Sequence, residues 1–385
     1  MELNNTSRRI IRWLLLPALV LLSYTGRAQS TLAQWDFNDN DINADQGSGT
    51  LSAIGGVTTG FVNASAGSVT CCSSTSSDPG GTNRAWEMAG FPTNGTGNGT
   101  AGVEFAVSTV GYTGINVLWD QRQGQTGSRY FQLSYSINGI TFITTGLPAP
   151  LGPGTEGIVD LYPSTGGTNP GFDNGILFDL TGLASVHGNS NFKVRITAVF
   201  QPPGTTYLAA RHLSTYTTAG TARFDMITVT GLVDTDGDSV ADATDNCPTT
   251  PNTDQADVDS DGDGNSCDNC LFAVNSGQED ADTDGLGDVC DNCPNDANGA
   301  QDDGDNDNVG DACDACPTNG NLPVGPNGCP TSIYVNDGNT GDDVVTTAAG
   351  NDGTGDGTSA APFATIMHAM GLVPDGGTII VDGGT

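Results

Sequence analysis

Apolar and polar residues alternate along the first half of the chain, and the clearest example is RYFQLSYSINGITFITT at residues 129–145. Alternation of this kind places every second side chain on one face of a β-strand. Because Asn138-Gly139 is typical of a two-residue hairpin turn, the stretch predicts a strand, a turn and a return strand that contains Ile140 and Phe142. The apolar face of the first strand consists of Phe131, Leu133, Tyr135 and Ile137.

The same alternation recurs in FKVRITAVF and in ARFDMITVTG, with Gly-rich turns and no long helical pattern between such runs. Residues 29–231 are therefore expected to form a β-sandwich of the jelly-roll type. The segments AQWDFND and FDMITVTG resemble those of secreted jelly-roll domains of the lectin-like or galactose-binding-like kind. The expected inward positions are Phe192, Val194, Ile196, Ala198, Phe200, Phe224, Ile227 and Val229.

From residue 232 onwards the alternation gives way to closely spaced aspartates and regularly spaced cysteines. In three successive pairs of cysteines, the two members are separated by the same number of residues. The same short interval separates each pair from the next, and the two members of a fourth pair lie closer together. Such a constant period predicts one structural unit that is repeated along the segment 232–330. The pairs are Cys247 and Cys267, Cys270 and Cys290, Cys293 and Cys313, and Cys316 and Cys329.

The third unit, DADTDGLGDVCDNC, places aspartates at positions 1, 3, 5, 9 and 12 of a loop and glycine at position 6. These are the ligand positions of an EF-hand-type calcium loop, in which oxygens surround Ca²⁺ at about 2.3–2.6 Å. Aspartate at position 12 has a shorter reach than the usual glutamate. Cys290, Cys293 and Pro294 stand where an EF-hand would continue into a helix.

The same spacing in all four units gives the candidate calcium ligands. They are Asp234, Asp236, Asp238, Asp242 and Asp245 in loop one; Asp257, Asp259, Asp261, Asn265 and Asp268 in loop two; Asp280, Asp282, Asp284, Asp288 and Asp291 in loop three; and Asp303, Asp305, Asp307, Asp311 and Asp314 in loop four. Position 6 is Gly262 or Gly285 in the middle loops, Ser239 in loop one and Asn308 in loop four. Serine tolerates a left-handed turn poorly, so loop one is expected to be the least favourable site.

The charge balance explains why an ion is needed. The chain has a formal net charge of −34, and no Lys or Arg follows Arg223. Two carboxylates ~5 Å apart repel by roughly 3 kcal/mol at a protein surface, so the loops need a cation from solution, and Ca²⁺ is the expected cofactor. Without metal and cross-links this segment would be disordered. The same acidity argues against nucleic acid or anionic lipid as a partner.

Residues 234–330 resemble thrombospondin type 3 repeats in the motifs DTDGDSVADATDNCP, DVDSDGDGNSCDNC, DADTDGLGDVCDNCP and DGDNDNVGDACDACP. The resemblance implies an extended chain wrapped around bound Ca²⁺, with disulfides between the two cysteines of each pair described above. Spacing alone leaves 105 pairings open for eight cysteines. Ser239, Asn265 and Asn308 depart from the commonest residues of that family and are expected to weaken their sites.

Other interpretations of this segment fit less well. Cys267-x₂-Cys270 approximates half of a zinc site, but three CxxC units cannot be used up in pairs, and zinc would leave the aspartates unexplained. A thioredoxin-like redox role would need a βαβ pattern around a CxxC motif, which is lacking. A solvated acidic tail would not show such regular spacing.

The last segment, residues 331–385, has the pattern of a strand, a Gly/Asp-rich loop, a short helix and a strand. Phe363, Ile366, Met367 and Met370 have helical spacing and are expected to cover the edge of a core. From Ile333 onwards the segment resembles the start of a right-handed parallel β-helix of the pectin-lyase-like kind. Because such solenoids need about three or more repeats, the chain is expected to be a fragment of a longer protein.

Residues 1–28 have the pattern of a secretion signal, with three arginines ahead of an apolar run at 14–22 and then a small-residue cleavage site. The polar, strand-like segment that follows favours cleavage over an N-terminal anchor, so the mature chain is expected to have no membrane span. Secretion would allow disulfides to persist. Adjacent Cys71 and Cys72 could form a strained ring, remain free or pair with another chain, and the sequence does not decide between these.

Other candidate groups in the sandwich have a simpler explanation. Trp35, Trp86, Trp119 and Tyr130 could stack on a sugar, but aromatic residues in a sandwich more often fill the core. Asp36, Asp39 and Asp41 could hold another calcium ion, although a polar loop explains them as well. No motif surrounds His187, His212 or His368, and calcium ligands must stay ionised, so no catalytic residue is predicted.

The sequence thus predicts a secreted, modular, calcium-binding protein that is not an enzyme. Its repeats would act as a calcium-stiffened spacer or cell-adhesion module, and an extracellular glycan or a cell-surface protein is the expected partner. One alternative is an extracellular polysaccharide lyase or hydrolase whose catalytic β-helix is mostly missing from this chain. Another makes the sandwich a carbohydrate-binding module.

Overall fold

The computed structural model describes residues 29–64, 75–78, 83–152, 154–161, 171–211, 213–315, 332–336, 346, 348, 350, 351, 355, 357–360, 362–370, 373 and 378–382. The predicted signal segment, Cys71, Cys72, His212 and the predicted bridge between Cys316 and Cys329 lie outside these residues. The chain divides into two compact units, residues 1–254 and residues 255–385, and each is considered by itself. The domain bounds inferred from the sequence remain predictions.

The first unit contains two β-sheets, of seven and six strands. Their strands are β1 (Ser30–Trp35), β2 (Gln46–Gly47), β3 (Thr50–Ile54), β4 (Thr58–Asn63), β5 (Arg84–Ala89), β6 (Gly102–Ala106), β7 (Tyr112–Gln123), β8 (Tyr130–Ser136), β9 (Gly154–Thr155), β10 (Ile158–Asp160), β11 (Phe172–Asp179), β12 (Lys193–Val199) and β13 (Ala222–Val233). The larger sheet has the order β11-β7-β13-β1-β2, and β5 pairs with both β13 and β4. The smaller sheet has the order β3-β6-β12-β8-β10-β9. The predicted mainly-β, jelly-roll-like sandwich is confirmed.

Aromatic side chains from the two sheets meet in the core. The ring centroids of Trp35 in β1 and Phe105 in β6 are 5.9 Å apart, and those of Phe131 in β8 and Phe224 in β13 are 6.0 Å apart. All four side chains are buried. Each such pair contributes about 0.5–1.5 kcal/mol beyond the burial of its area. These contacts place the core between the sheets, as the alternating pattern predicts.

The predicted hairpin at Asn138 is only half correct. The first strand is β8, whose Phe131 and Leu133 are fully buried. The return strand does not begin at Ile140, which is 82% exposed, and the chain returns only in a single antiparallel bridge, in which Tyr135 and Ile143 exchange two backbone hydrogen bonds. The Oδ1 of Asn138 accepts hydrogen bonds from the backbone N–H groups of Ile140 and Thr141, at 2.9 and 2.8 Å. These side-chain bonds replace the expected two-residue turn with a longer loop. The edges of β8 pair with β10 and β12 instead.

The strand in FKVRITAVF is confirmed as β12, whose Val194, Ile196 and Ala198 are fully buried. The strand in ARFDMITVTG is confirmed as β13, but its register shifts between Asp225 and Thr228. Met226 has a positive φ of 49° at this irregularity. The bulge explains how Phe224 and Ile227, which are three residues apart, both face the core.

The end of the second unit contains strands β14 (Ser332–Asn336) and β15 (Thr378–Asp382) and a short helix, α1 (Ile366–Met370). The two strands pair in parallel, and Ile333, Val335, Phe363 and Ala369 form a small buried cluster. This is the strand, helix and strand that the sequence predicts. A parallel β-helix requires more coils than these residues contain, so that part stays a prediction.

The helix covers this cluster with a different face from the predicted one. Phe363 is buried, but Ile366, Met367 and Met370 are 47%, 81% and 62% exposed, so their predicted role in the core is wrong. The helix has only five residues, and among its described side chains the buried one is Ala369. A small side chain at this position lets the helix backbone approach the strands closely.

Candidate metal centres

Each of the four loops brings three carboxylates together. Within each group, one oxygen from each side chain lies within 4.8 Å of the others. The groups occupy positions 1, 3 and 5, as the calcium-loop spacing predicts. They are Asp234, Asp236 and Asp238; Asp257, Asp259 and Asp261; Asp280, Asp282 and Asp284; and Asp303, Asp305 and Asp307.

Backbone N–H groups orient the carboxylate at position 1. In loop three, Asp280 accepts hydrogen bonds from the N–H of Thr283 at 2.7 Å and from that of Gly285 at 3.1 Å. Loops one, two and four repeat both bonds, at distances between 2.7 and 3.2 Å. The loop backbone therefore wraps around its first aspartate and turns the following carboxylates inward.

This wrapping requires left-handed backbone at two positions. At position 6, φ is 106° for Gly262, 100° for Gly285, 71° for Asn308 and 79° for Ser239. The turn predicted from glycine and asparagine therefore forms, and Ser239 adopts it too at a conformational cost. Position 4 is also left-handed, with φ of 82°, 66°, 65° and 61° in loops one to four. The sequence does not reveal the left-handed backbone at position 4, because serine, threonine and asparagine occupy this position in three of the loops.

The predicted ligands at position 9 lie apart from these carboxylate groups. Asp242, Asn265, Asp288 and Asp311 each accept a hydrogen bond from the backbone N–H of position 2 in their own loop, at 2.7 to 2.9 Å. This bond ties the two ends of the loop together. The ligand role of position 9 stays a prediction.

The residues at position 12 interact with the groups electrostatically. Loss of solvent raises the pKa of Asp282 above its usual value, and the charges of Asp284, Asp291 and Asp280 raise it further. Loss of solvent likewise raises the pKa of Asp259 and of Asp307. The charges of neighbouring aspartates in the same loop, including the one at position 12, raise both pKa values further. The position-12 aspartates of loops two to four thus add to the negative potential at these groups, and their ligand role stays a prediction.

Several of the converging oxygens lack any hydrogen-bond partner among the described residues. They are the Oδ2 atoms of Asp236, Asp259 and Asp282 at position 3, and of Asp307 at position 5, and all four are shielded from solvent. An oxygen that has neither water nor a donor beside it destabilises the fold. A hard cation would remove this cost, and carboxylate oxygens are the ligands that Ca²⁺ prefers. The residues present therefore fit calcium.

Disulfides join the loops, as the resemblance implies. Cys270 is bonded to Cys290 and Cys293 to Cys313, with Cα atoms 5.6 and 5.7 Å apart. Cys247 and Cys267 are each disulfide-bonded as well. Sulfur atoms in disulfides cannot serve as the thiolate ligands of zinc, so zinc does not explain these six cysteines.

Comparison with protein families agrees with this geometry. Residues 233–255 match the family described as thrombospondin type 3 repeat. The chain carries a thrombospondin type 3 repeat. The matched residues contain all of loop one, and the loops that follow at regular intervals share its spacing and its hydrogen bonds.

Comparisons with curated proteins and with solved structures are less informative than the thrombospondin type 3 match. No curated protein matches the sequence. Among solved structures, a putative sugar-binding protein from Bacteroides thetaiotaomicron is 8% identical and has a TM-score of 0.31, with 52% of this chain and 100% of that chain covered. The CBM22-1 xylan-binding domain of Paenibacillus barcinonensis Xyn10C is 10% identical with a TM-score of 0.23, covering 53% and 95%. The K2 adhesin domain of Lys-gingipain is 8% identical with a TM-score of 0.24, covering 52% and 97%. Scores this low support no conclusion about this chain.

Most candidate groups outside the thrombospondin type 3 repeats have structural roles. Trp35, Trp86 and Trp119 are buried in the core, so they offer no stacking platform for a sugar. Tyr130 is partly exposed and lies under the guanidinium of Arg129, 5.0 Å from its ring centroid. The N-terminal aspartates Asp36, Asp39 and Asp41 each accept a backbone N–H from two residues further along. Aspartates at positions 3 and 5 of the loops do the same, so the role of these N-terminal aspartates stays a prediction.

His187 also has a structural contact, because its Nδ1 lies 3.0 Å from the hydroxyl of Thr113. No helix in the described part of the chain has the length and apolar character needed to cross a bilayer.

A set of asparagines that contact the loops was not predicted from the sequence. Asn252, Asn275 and Asn298 recur with the period of the repeats, and each donates its backbone N–H to the position-5 aspartate of the preceding loop, at 2.6 to 2.9 Å. Their recurrence in the sequence with the period of the repeats could have identified them.

Proposed function

We propose that this chain is an extracellular, non-catalytic calcium-binding protein whose repeats act as a calcium-stiffened spacer. The observation that carries the proposal is the set of four three-carboxylate groups with shielded oxygens that lack hydrogen-bond partners. The thrombospondin type 3 match at residues 233–255 supports calcium as the ion. The disulfides between loops support an oxidising, extracellular setting.

Calcium would stiffen the repeats because they have few other stabilising interactions. Residues 234–315 contain no strand or helix, and in the described residues from 255 to 315 the buried apolar side chains are those of Cys270 and Cys293. Ion binding and disulfides would therefore provide most of the folding free energy. A spacer of this kind holds neighbouring modules apart only while calcium is present.

The partner belongs to the proposal as well. A formal net charge of −34 disfavours polyanions, so a neutral glycan or a cell-surface protein is the expected partner of the spacer's neighbouring modules. A glycan array probed with the full chain would test the first of these. The parallel pairing of β14 and β15 supports the tail as the beginning of a parallel β-helix.

Calorimetric Ca²⁺ titration of the full chain with disulfides intact tests the central claim, with circular dichroism before and after chelation. We expect saturable binding of several ions and a spectral change that is reversed by chelator. No binding at millimolar Ca²⁺ would contradict the proposed function and would leave the repeats as a disulfide-linked acidic connector.

A further inference from the structure

A glutamine that follows each of loops two and three contacts a predicted ligand in that loop. Nε2 of Gln301 donates to Oδ1 of Asp291, at 2.7 Å, and Nε2 of Gln278 donates to Oδ1 of Asp268, at 3.0 Å. Both aspartates occupy position 12. The same hydrogen bond therefore recurs in successive repeats, between side chains ten residues apart.

The glutamine shares its aspartate with the disulfide-bonded cysteine. Oδ1 of Asp291 also accepts the backbone N–H of Cys293, at 2.8 Å. Two donors on one oxygen fix the orientation of the carboxylate and leave Oδ2 available to a cation. A carboxylate with only one of these donors could rotate, and a ligand that rotates binds metal less well.

The glutamine itself is held at its other end. Oε1 of Gln301 accepts the backbone N–H of Asn292, at 2.9 Å, and its Nε2 also contacts Oδ1 of Asn298, at 3.0 Å. Asn298 in turn donates its backbone N–H to Oδ2 of Asp284 in loop three, at 2.6 Å. The linker between loops three and four therefore contacts the predicted ligands at positions 5 and 12 of loop three.

The backbone of these glutamines points to a specific requirement for the side chain. Gln278 has a φ of 50° and Gln301 a φ of 53°, a left-handed conformation in which glycine or asparagine is the favoured residue. A non-glycine residue persists in such a conformation where surrounding contacts compensate for the strain. The contacts to the position-12 carboxylate and to the following backbone are that compensation.

We infer that Gln278 and Gln301 are positioning residues for calcium, each of which orients the position-12 carboxylate of the loop before it. This inference rests on the proposed function. It makes each site depend on the linker that follows its own loop. In the sequence, Val324 occupies the position of the following repeat that corresponds to Gln301, so loop four has no glutamine of this kind.

The test is hydrogen exchange measured by mass spectrometry on the full, disulfide-bonded chain at increasing Ca²⁺ concentrations. Peptides from loops two and three report each site separately. In Gln301→Gly, we expect the Ca²⁺ concentration at half-protection of loop three to rise roughly 10-fold or more, with loop two unchanged. Glycine relieves the left-handed strain at this position, so backbone strain would not explain a weaker site.

Ala300→Gly is the matched control. Ala300 is the exposed neighbour of Gln301 in the same linker, and glycine at this position adds backbone freedom without removing a contact to a ligand carboxylate. We expect this variant to keep the wild-type midpoint of loop three. Gln301→Asn retains an amide and tolerates the turn but is one methylene shorter, so it should weaken loop three as well.

The outcomes separate the two proposals. An unchanged midpoint in Gln301→Gly, or an equal loss in Gln301→Gly and Ala300→Gly, would overturn the positioning role while leaving calcium binding intact. Absence of any calcium-dependent protection in the wild-type chain would overturn both the positioning role and the proposed function.

Discussion

The hydroxyl of Thr113 in β7 donates a hydrogen bond to the backbone carbonyl of Ser239 in loop one, over 3.3 Å. The backbone N–H of Asp234 donates to the carbonyl of Gly111, at 3.1 Å, in the same region. Loop one is therefore anchored on the sandwich at its first ligand and at its left-handed serine. This contact explains how Ser239 is held in a conformation that serine alone disfavours.

Replacing Thr113 by valine tests this anchor. Thr113→Val keeps the shape of the side chain but leaves the carbonyl of Ser239 and Nδ1 of His187 without the hydroxyl. We expect the free energy of unfolding of the first unit to fall by about 1–2 kcal/mol, measured by urea denaturation of the full chain. Thr59→Val, at an exposed position of β4, is the control and should change stability little. Equal stability of the two variants would contradict the anchor.

The strain at Ser239 leads to a second prediction. Because Ser239 has a φ of 79°, Ser239→Gly should stabilise the calcium-bound state of loop one by roughly 1 kcal/mol, which corresponds to about a fivefold lower half-saturating Ca²⁺ concentration. Hydrogen exchange of peptides from loop one would measure this shift. Ser239→Ala keeps the Cβ atom and should show no such gain. A gain in both variants would point to the hydroxyl rather than to the backbone.

A third prediction concerns a buried carboxyl group in the sandwich. Asp225 in β13 pairs across the sheet with Asp120 in β7, and both are almost fully buried. Burial raises the pKa of Asp225 to about 8, opposed by hydrogen bonds from Ser76 and Met226, and the charge of Asp120 raises it further. Between pH 4 and 8 the folded state therefore holds a proton that the unfolded state releases, so stability should fall as pH rises through this range.

Asp225→Asn tests the origin of that pH dependence. Asparagine keeps an oxygen for the N–H of Met226 and cannot ionise. We expect the variant to match the wild type near pH 4 and to exceed its free energy of unfolding increasingly up to pH 8, by an amount on the order of a few kcal/mol. Urea denaturation at several pH values in the presence of chelator would measure the difference. A constant difference between the two proteins would contradict this account.

Calcium removal should expose the repeats selectively. The sandwich has an apolar core and the repeats do not, so chelation should open residues 255–315 to proteolysis while β1 to β13 remain protected. Trypsin cannot report this opening, because no Lys or Arg follows Arg223. A protease that cleaves beside aspartate is the suitable probe, and added Ca²⁺ should restore resistance. Equal cleavage of sandwich and repeats would contradict the prediction.

The sequence was most informative where one local pattern determines the structure. The alternation in β12 identified its buried side chains, because β6 and β8 pair with both of its edges and one of its faces meets the core. The spacing of aspartates identified the three-carboxylate groups, since loop geometry depends mainly on residues within the loop. The return strand after Asn138 was reduced to one bridge at Ile143, because a single amide oxygen accepts the N–H groups of Ile140 and Thr141 and so replaces the tight turn.

Other features depend on contacts between residues that are distant in sequence. The left-handed turns at Ser260 and Thr283 have no local signature, because neither residue type favours them. The bond from Gln301 to Asp291 depends on how the linker folds back over its own loop, and the amide pattern alone does not show the direction of that fold. The buried face of α1 was misassigned because its length, five residues, was too short for helical spacing to determine it.

The lack of an apolar interior in the repeats has a thermodynamic consequence. Between residues 255 and 315, the larger apolar side chains such as Val258, Phe272 and Val289 are already exposed in the folded state. Unfolding this segment would therefore add little apolar surface to water, and the accompanying change in heat capacity should be small. A small heat-capacity change flattens the curve of stability against temperature. Cooling should then leave the repeats folded at any calcium concentration that saturates them.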